Sequence, residues 1–240
     1  DGSIDFTDVS FRYAKTAKRR ALGDIDVHID SGMTVGILGG TGSGKSTLVQ
    51  LIPRLYDVTE GSLKVGGVDV RSYDIRALRE QVSMVLQKNV LFSGTIKENL
   101  RWGDENATDE ELVRACKLAQ ADEFISGFPD GYDTKVSEGG SSLSAGQKQL
   151  IAFARTLIAD PKILILDEAT SSIDTETEKT LQKGLEQLLV GRTSFIIAHR
   201  LSTIKNSSRI MYIAEKGVAE AGTHDELLEK NGIYAKLYRG

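Results

Sequence analysis

Val35-Gly36-Ile37-Leu38 leads directly into Gly39-Gly40-Thr41-Gly42-Ser43-Gly44-Lys45-Ser46, and a helical pattern follows. The first stretch is a short apolar run of the kind that forms a buried strand, and the second fits G-x-x-x-x-G-K-[ST]. A strand, a glycine-rich turn and a helix in this order bring backbone N–H groups together at the helix start, where they hold phosphate. The sequence therefore predicts a phosphate-binding loop. The alternative, a plain glycine-rich connection, has no need of lysine and serine at the last two positions.

The residue types in this loop suit a nucleotide phosphate chain accompanied by Mg²⁺. We expect Lys45 to place its charge between the β- and γ-phosphates, and the Ser46 hydroxyl to ligate the metal ion. Thr47 offers a further donor at the start of the helix. The other loop positions let the backbone approach the phosphates; they are Gly39, Gly40, Thr41, Gly42, Ser43 and Gly44.

Composition limits the class of protein. The chain has 240 residues, 40% of them hydrophobic, which suffices for one α/β domain with an inserted subdomain. Its formal net charge is -4, so no global basic field points to nucleic acid, and we interpret the basic run 15–20 as a solvated loop. The single cysteine, Cys116, suits a reducing compartment and is expected in the core. No apolar stretch reaches the roughly 20 residues that cross a bilayer. The chain opens directly on a strand pattern, as we expect of a domain from a longer chain.

Alternating strand and helix patterns predict an α/β fold, with the strands at 4–11, 25–29, 35–38, 62–65, 68–70, 82–86, 163–166, 194–198 and 209–213. Gly66-Gly67 is a hairpin signal. Helices are expected after Lys45, with an apolar stripe through Leu48, Leu51, Ile52 and Leu55, and at 109–121, 147–159, 176–189 and after Thr223. This order predicts a parallel sheet covered by helices on both faces. We assign residues 1–88 and 161–240 to the core with its N-terminal β subdomain, and residues 89–160 to an inserted α-helical subdomain.

Two acidic residues follow a buried strand. The run 163–166 leads into Asp167 and Glu168, and ligands gather beyond the carboxyl ends of parallel strands, so both acids should lie beside the phosphate loop. We expect Asp167 to be the second Mg²⁺ ligand and Glu168 to take a proton from the attacking water. The alternative is a plain acid pair at a helix N-terminus, which we would favour if the loop were absent.

Two polar side chains follow other apolar strands. His199 closes the run 194–198, where it can donate to the γ-phosphate. Gln87 follows the run 82–86 and offers an amide oxygen to Mg²⁺ or to the lytic water. We interpret the other two histidines, His28 and His224, as structural.

A second helix start has the character of an anion site. The run Leu143-Ser144-Ala145-Gly146-Gln147 fits a capping box, with Ser144 as the N-cap and Gln147 as its reciprocal partner. The requirements of this box explain the presence of Ser144 and Gln147. The capping box does not explain why the two residues between them, Ala145 and Gly146, are small. A helix start with bare backbone can hold an anion. One nucleotide needs only one such anion-binding helix start, which we call a cradle.

Together these motifs resemble those of the ATP-binding cassette (ABC) ATPases, whose order along the chain they follow: 39–46, Gln87, 143–147, 163–168, 171–174 and His199. The resemblance covers nearly the whole chain, and it implies a P-loop NTPase-type mixed sheet core and an ATPase that uses ATP and Mg²⁺. It also implies that Ser144, Gly146 and Gln147 complete the ATP site of a second cassette, head to tail, in a homodimer or a heterodimer.

The same resemblance implies individual roles. Tyr13 would stack on adenine, and Gln87 would link the ATP site to a membrane partner. Glu168 would be the general base and His199 the γ-phosphate switch. Asp174 would lie in the loop that communicates between the two sites.

Two segments are similar to exporter-type cassettes: residues 89–99 with Phe92-Ser93-Gly94-Thr95, and Glu138-Gly139-Gly140. This similarity implies a motor domain at the cytoplasmic face of the cell membrane, with transmembrane domains on the same full-length chain and no nucleic acid partner. The sequence departs from the family pattern at Ala145, which replaces a glycine, and at Ser172-Ile173, which replaces Ala-Leu. A methyl at Ala145 would crowd the γ-phosphate slightly.

Two other classes of protein would have different sequence features. A soluble cassette that acts on nucleic acid or ribosomes would carry a long coiled coil between Lys45 and Ser144, or two cassettes with a charged linker. A regulator that binds nucleotide without turnover would lack Glu168 or His199, and both residues are present.

Overall fold

A computed structural model describes residues 1–14, 19–40, 42–85, 91–137, 142–167, 175–198 and 200–240. The described residues form two compact units. The first takes them from 1–84, 162–168 and 191–240, and the second from 85–161 and 169–190. The predicted subdomain boundaries at residues 89 and 160 stay a prediction.

The described strands are β1 (Ile4–Phe11), β2 (Leu22–Ile29), β3 (Thr34–Gly39), β4 (Glu60–Val65), β5 (Val68–Asp69), β6 (Val82–Val85), β7 (Gly94–Thr95), β8 (Lys135–Val136), β9 (Ile163–Asp167), β10 (Thr193–Ile197), β11 (Arg209–Ala214) and β12 (Gly217–Gly222). The described helices are α1 (Lys45–Gln50), α2 (Ile75–Glu80), α3 (Ile96–Leu100), α4 (Asp109–Leu118), α5 (Asp122–Ser126), α6 (Ala145–Ala159), α7 (Thr175–Leu189), α8 (Leu201–Ile204), α9 (His224–Glu229) and α10 (Ile233–Arg239). None of these helices combines the length and the apolar content that a bilayer crossing requires.

An antiparallel sheet in the order β2-β1-β4-β5 opens the first unit. Strands β1 and β2 mix buried apolar residues with exposed polar ones, as in a sheet with one face on a core, and shifts in the register of β1 interrupt the alternation. Gly66 and Gly67 join β4 to β5, both at positive φ, so the predicted hairpin is confirmed. The expected N-terminal antiparallel subdomain is therefore present.

The larger sheet of this unit has the order β12-β11-β3-β10-β9-β6. Strands β11, β3, β10 and β9 pair in parallel, whereas β12 pairs antiparallel with β11. Strands β9 and β10 are buried almost throughout because they are continuous apolar runs, as parallel strands between covering layers must be. The prediction of a mixed α/β fold is confirmed.

Helix α1 is shorter than its apolar stripe suggested. Leu48, Leu51 and Ile52 are buried as expected, but Leu55 is 46% exposed. The helix ends at Gln50, and Pro53 has no N–H to continue it, so the helical period does not extend to Leu55. The expectation for Leu55 was wrong.

The second unit is mainly helical, and α6 packs against α3, α4 and α7. Cys116 of α4 is fully buried, as expected of a core thiol, and this burial raises the pKa of the thiol to about 12. Helix α4 ends at Leu118 rather than at residue 121, because Gln120 adopts a left-handed conformation with φ 66°.

Candidate functional site

The phosphate loop lies between the end of β3 and the start of α1. Gly44 is the N-cap of α1, with φ 101°, and it offers no side chain to the first N–H groups of the helix. A Cβ at this position would lie 2.8 Å from Leu22 Cδ2 and 2.9 Å from the Ala21 carbonyl oxygen. Only glycine fits both the conformation and the space, and the helix N-terminus stays open to an anion.

Two side chains of the loop fit a bound phosphate chain. Lys45 Nζ donates a hydrogen bond to the Gly39 carbonyl oxygen at 2.8 Å, so the ammonium group lies over the loop itself. The Ser43 hydroxyl is buried, and within the described residues it has no hydrogen-bond partner. A buried hydroxyl without a partner costs free energy, and a phosphate oxygen in the loop would remove that cost.

Asp167 lies at the same edge of the sheet as the loop. It is the last residue of β9 and pairs with Ile197 of β10, which in turn pairs with Ile37 of β3. These strands are parallel, so Asp167 is level with the end of β3 just before the loop begins. Its carboxylate and the Ser46 hydroxyl are hard oxygen donors of the kind that Mg²⁺ takes in proteins.

Tyr13 lies beside the start of α1. Its hydroxyl shares a hydrogen bond of 2.5 Å with Thr47 Oγ1, and its ring meets Phe11 and Tyr56 edge-on, with centroids 4.9 and 5.2 Å away. The side chain is nevertheless 60% exposed. The structure therefore brings an exposed aromatic ring next to the phosphate loop, where stacking on a base was predicted.

The second predicted cradle is the start of α6, in the second unit. The capping box is confirmed: Ser144 Oγ accepts from the Gln147 N–H at 3.1 Å, and Gln147 Oε1 accepts from the Ser144 N–H at 3.0 Å. Because Ser144 Oγ acts as the acceptor, its hydroxyl hydrogen is left to donate outward. Ser144 and Ala145 are exposed, so this helix start is accessible.

At Gly146, the third residue of this cradle, helix packing requires a small residue. Gly146 is buried, and a Cβ there would lie 2.6 Å from the Thr177 methyl of α7. The small size of residue 146 therefore lets two helices approach, a cause that the sequence did not reveal.

Several predicted site residues lie outside the described part of the chain, and the roles assigned to them stay predictions: Thr41, Gln87, Glu138, Gly139, Gly140, Glu168, Ser172, Ile173, Asp174 and His199.

The two described histidines have partners on neighbouring elements. His28 bonds the carboxylates of Asp5 and Asp30, and these hydrogen bonds raise the pKa of the imidazole. His224 Nδ1 lies 2.7 Å from the Tyr234 hydroxyl oxygen. Both environments support the structural interpretation.

An aromatic patch stands out on the second unit. Phe92 and Trp102 stack with ring centroids 4.5 Å apart, and they are 39% and 65% exposed. Buried Asn99 fixes the preceding loop, because its Nδ2 donates to the carbonyl oxygens of Phe92 and Thr95 at 2.9 and 3.0 Å. The patch, defined here as Phe92 and Trp102, thus faces solvent while Asn99 holds the backbone at Phe92.

A lysine that the sequence did not single out also touches the loop. Lys216 Nζ donates to the Gly42 carbonyl oxygen at 2.6 Å. The two residues are 174 positions apart, so only the fold brings them together.

Comparison with known proteins shows the family of the chain. The sequence model of the family described as ABC transporter matches residues 22–171. The chain belongs to the ABC transporter family. The ABC transporter family hydrolyses ATP to power transport, so the predicted ATPase class is confirmed at the level of the family, and a soluble ATPase acting on nucleic acid or ribosomes is not favoured.

Relatives of this ABC domain are larger proteins. It is 48% identical to the ATP-binding/permease protein YgaD of Bacillus subtilis over 237 residues, which are 99% of this chain and 41% of the relative. It is also 48% identical to the ATP-dependent lipid A-core flippase of Desulfotalea psychrophila, over 98% of this chain and 41% of the relative. A bacterial Atm1-family ABC exporter, solved with ATP bound, superposes with a TM-score of 0.91 at 39% identity, over 99% of this chain and 41% of that one. The chain therefore spans about two fifths of the length of these proteins.

Proposed function

We propose that this domain binds ATP with Mg²⁺, hydrolyses it, and powers a membrane exporter as one of two cassettes joined head to tail. The observation that carries the proposal is the open phosphate loop with Asp167 at the same sheet edge, in a chain of the ABC transporter family. The relatives named for export and flipping support the transport part of the proposal.

Each residue of the first site has a task that its position supports. Backbone N–H groups at the start of α1 and Lys45 bind and orient the phosphates. Ser46 and Asp167 would hold Mg²⁺, which neutralises phosphate charge when bound. Tyr13 orients the nucleotide through its base.

Three residues outside the described part of the chain complete this proposed chemistry. Glu168 takes the proton from the attacking water, and His199 donates to the γ-phosphate. Gln87 offers an oxygen to the metal ion or to that water.

The second cradle explains why two cassettes are needed. The start of α6 is exposed, and its capping box leaves the Ser144 hydroxyl hydrogen available to a phosphate of the partner cassette. ATP then contacts both cassettes only when they meet, and it stabilises the closed pair by the contacts made only there. Hydrolysis removes those contacts, so the pair reopens.

The aromatic patch of Phe92 and Trp102 supports a membrane partner. Two stacked rings that face solvent form an apolar surface, and covering it with another protein is favourable. The relatives contain a permease part that this chain does not span, and we propose that this part covers the patch. The domain would then work at the cytoplasmic face of the membrane.

Complementation between two inactive chains tests this function. The first chain carries Lys45→Ala, which removes the phosphate-binding charge, and the second carries Ser144→Asp. Aspartate is as good an N-cap as serine, so it preserves the start of α6 but places a negative charge against the partner's phosphates. In a head-to-tail pair, a mixed dimer has one site with both residues intact. We expect the mixture to regain about one quarter of normal ATP hydrolysis, from random pairing and one working site per mixed dimer.

Two controls make this result specific. Ser144→Asn keeps the cap without charge and is expected to lose less activity than Ser144→Asp. A chain with both substitutions, mixed with either single variant, forms no intact site and should regain nothing. Nucleotide retained by each mixture is measured beside turnover. If the two single variants restore neither hydrolysis nor retention, the sites are not shared between cassettes.

A further inference from the structure

The turn between β11 and β12 lies against the phosphate loop. Strand β11 pairs in parallel with β3, and Ile213 is opposite Gly39, the first residue of the loop. Glu215 and Lys216 form the turn, with φ values of 50° and 69°. Two successive left-handed residues give the tight hairpin connection that reverses the chain directly beside the loop.

Lys216 makes contacts on two sides of this turn. Its carbonyl oxygen accepts from the Gly23 N–H at 2.9 Å, which fixes the backbone of the turn against β2. Its ammonium group donates to the Gly42 carbonyl oxygen at 2.6 Å. The anchored backbone therefore carries a charged donor to one particular peptide group of the phosphate loop.

The orientation of that peptide group matters for the loop. Gly42 has φ 75°, and a glycine without Cβ offers little steric resistance to rotation of the peptide that follows it. In a trans peptide the C=O and the next N–H point in opposite directions, so a carbonyl held by Lys216 directs the Ser43 N–H to the other side. This N–H donates to the Gly40 carbonyl oxygen at 3.2 Å and keeps the loop curled.

We propose that Lys216 is a positioning residue for the phosphate loop, and that it acts through the Gly42 carbonyl to hold the loop in its nucleotide-ready shape before nucleotide arrives. The proposal deepens the proposed function and rests on it for the identity of the ligand. Loss of this bond lets the Gly42 peptide rotate, and binding then has to order it again. An exposed charged hydrogen bond contributes little free energy, and this one affects the nucleotide only through the shape of the loop. We therefore expect ATP and ADP to bind about fivefold more weakly. Because the bond acts before nucleotide arrives, kcat should change little.

The test compares Lys216→Ala and Lys216→Arg with Lys230→Ala. Lys230 is a matched control, because its Nζ also donates to a backbone carbonyl oxygen, that of Ala221 at 3.0 Å, but away from the loop. Amide hydrogen exchange of the loop segment 39–48 is measured without nucleotide, and the dissociation constants of ATP and ADP are measured by calorimetry. The KM and the kcat of ATP hydrolysis, each determined separately, and the thermal midpoint of unfolding are also measured.

For Lys216→Ala we expect faster exchange in the loop, weaker nucleotide binding, a raised KM and an almost unchanged thermal midpoint. Lys216→Arg should restore most of each property, and Lys230→Ala should leave the loop and the nucleotide affinity unaltered. Loop exchange that stays at its original rate in Lys216→Ala overturns the proposal, whether or not ATP is hydrolysed. If the unaltered chain binds no nucleotide while the loop exchange still responds to Lys216, the proposed function fails and the positioning role stands.

Discussion

Tyr13 is an exposed side chain whose ring and hydroxyl both have partners in the structure. Its ring stands edge-on to Phe11 and Tyr56, and its hydroxyl bonds Thr47 at the start of α1. An exposed ring usually samples several rotamers, so these contacts lower the entropy that stacking on a base would cost. The hydrogen bond to Thr47 also connects the proposed base position with the helix that begins at the phosphate loop.

The residue-scale prediction separates the ring of Tyr13 from its hydroxyl. Tyr13→Ala should weaken ATP binding by about tenfold, the upper range for an aromatic stack, and leave the binding of inorganic triphosphate unchanged. Tyr13→Phe keeps the ring and should lie close to the unaltered protein. Calorimetry with both ligands measures the difference. Equal losses for ATP and triphosphate in Tyr13→Ala would mean that the ring does not contact the base.

At the scale of elements, the start of α6 combines an exposed cradle with a tight helix contact. A Cβ on Gly146 would approach the Thr177 methyl to 2.6 Å, so Gly146→Ala should lower the free energy of unfolding by about 1–2 kcal/mol. Thr177→Ser removes the methyl and keeps the hydroxyl. The double variant should recover this stability and gain part of the roughly 1 kcal/mol that alanine favours over glycine in a helix.

Denaturant unfolding and ATP hydrolysis of the same variants separate packing from ligand binding. If Thr177→Ser does not rescue the stability of Gly146→Ala, the close contact is not the cause of the loss. If the double variant regains both stability and ATP hydrolysis, Gly146 is needed only for packing. The proposed contact with the partner's phosphates then belongs to Ser144 and its neighbours.

The two sites also show what sequence alone can predict. The loop 39–46, the Gly66-Gly67 hairpin and the Ser144 capping box were predictable because each depends on residues within a few positions of one another. The contact of Lys216 with Gly42 joins residues 174 positions apart, and Gly146 meets Thr177 across two helices. Such contacts follow from the register of strands and the packing of helices, which a local pattern does not contain.

For the whole molecule, the aromatic patch is an apolar surface of the described residues that faces solvent. Trp102 is the single tryptophan of the chain, and it is 65% exposed beside Phe92. Covering such a ring at an interface is worth roughly 2–4 kcal/mol from its apolar area. Asn99 holds the backbone at Phe92 and Thr95, which limits the entropy that this segment loses when a partner docks. The patch is therefore suited to the contact with a permease part that we propose.

The whole-molecule prediction compares Trp102→Ala and Trp102→Phe in two settings. In the isolated domain, neither variant should change ATP hydrolysis by more than about twofold, because the patch lies outside the proposed site residues and surface substitutions seldom cost stability. In a longer protein that carries the permease part we propose, Trp102→Ala should lower the yield of assembled transporter, measured by size-exclusion chromatography in detergent, and Trp102→Phe should restore most of it. Iodide should quench Trp102 fluorescence in the isolated domain. A Trp102→Ala protein that assembles and hydrolyses ATP as well as the unaltered one would show that the permease part docks elsewhere.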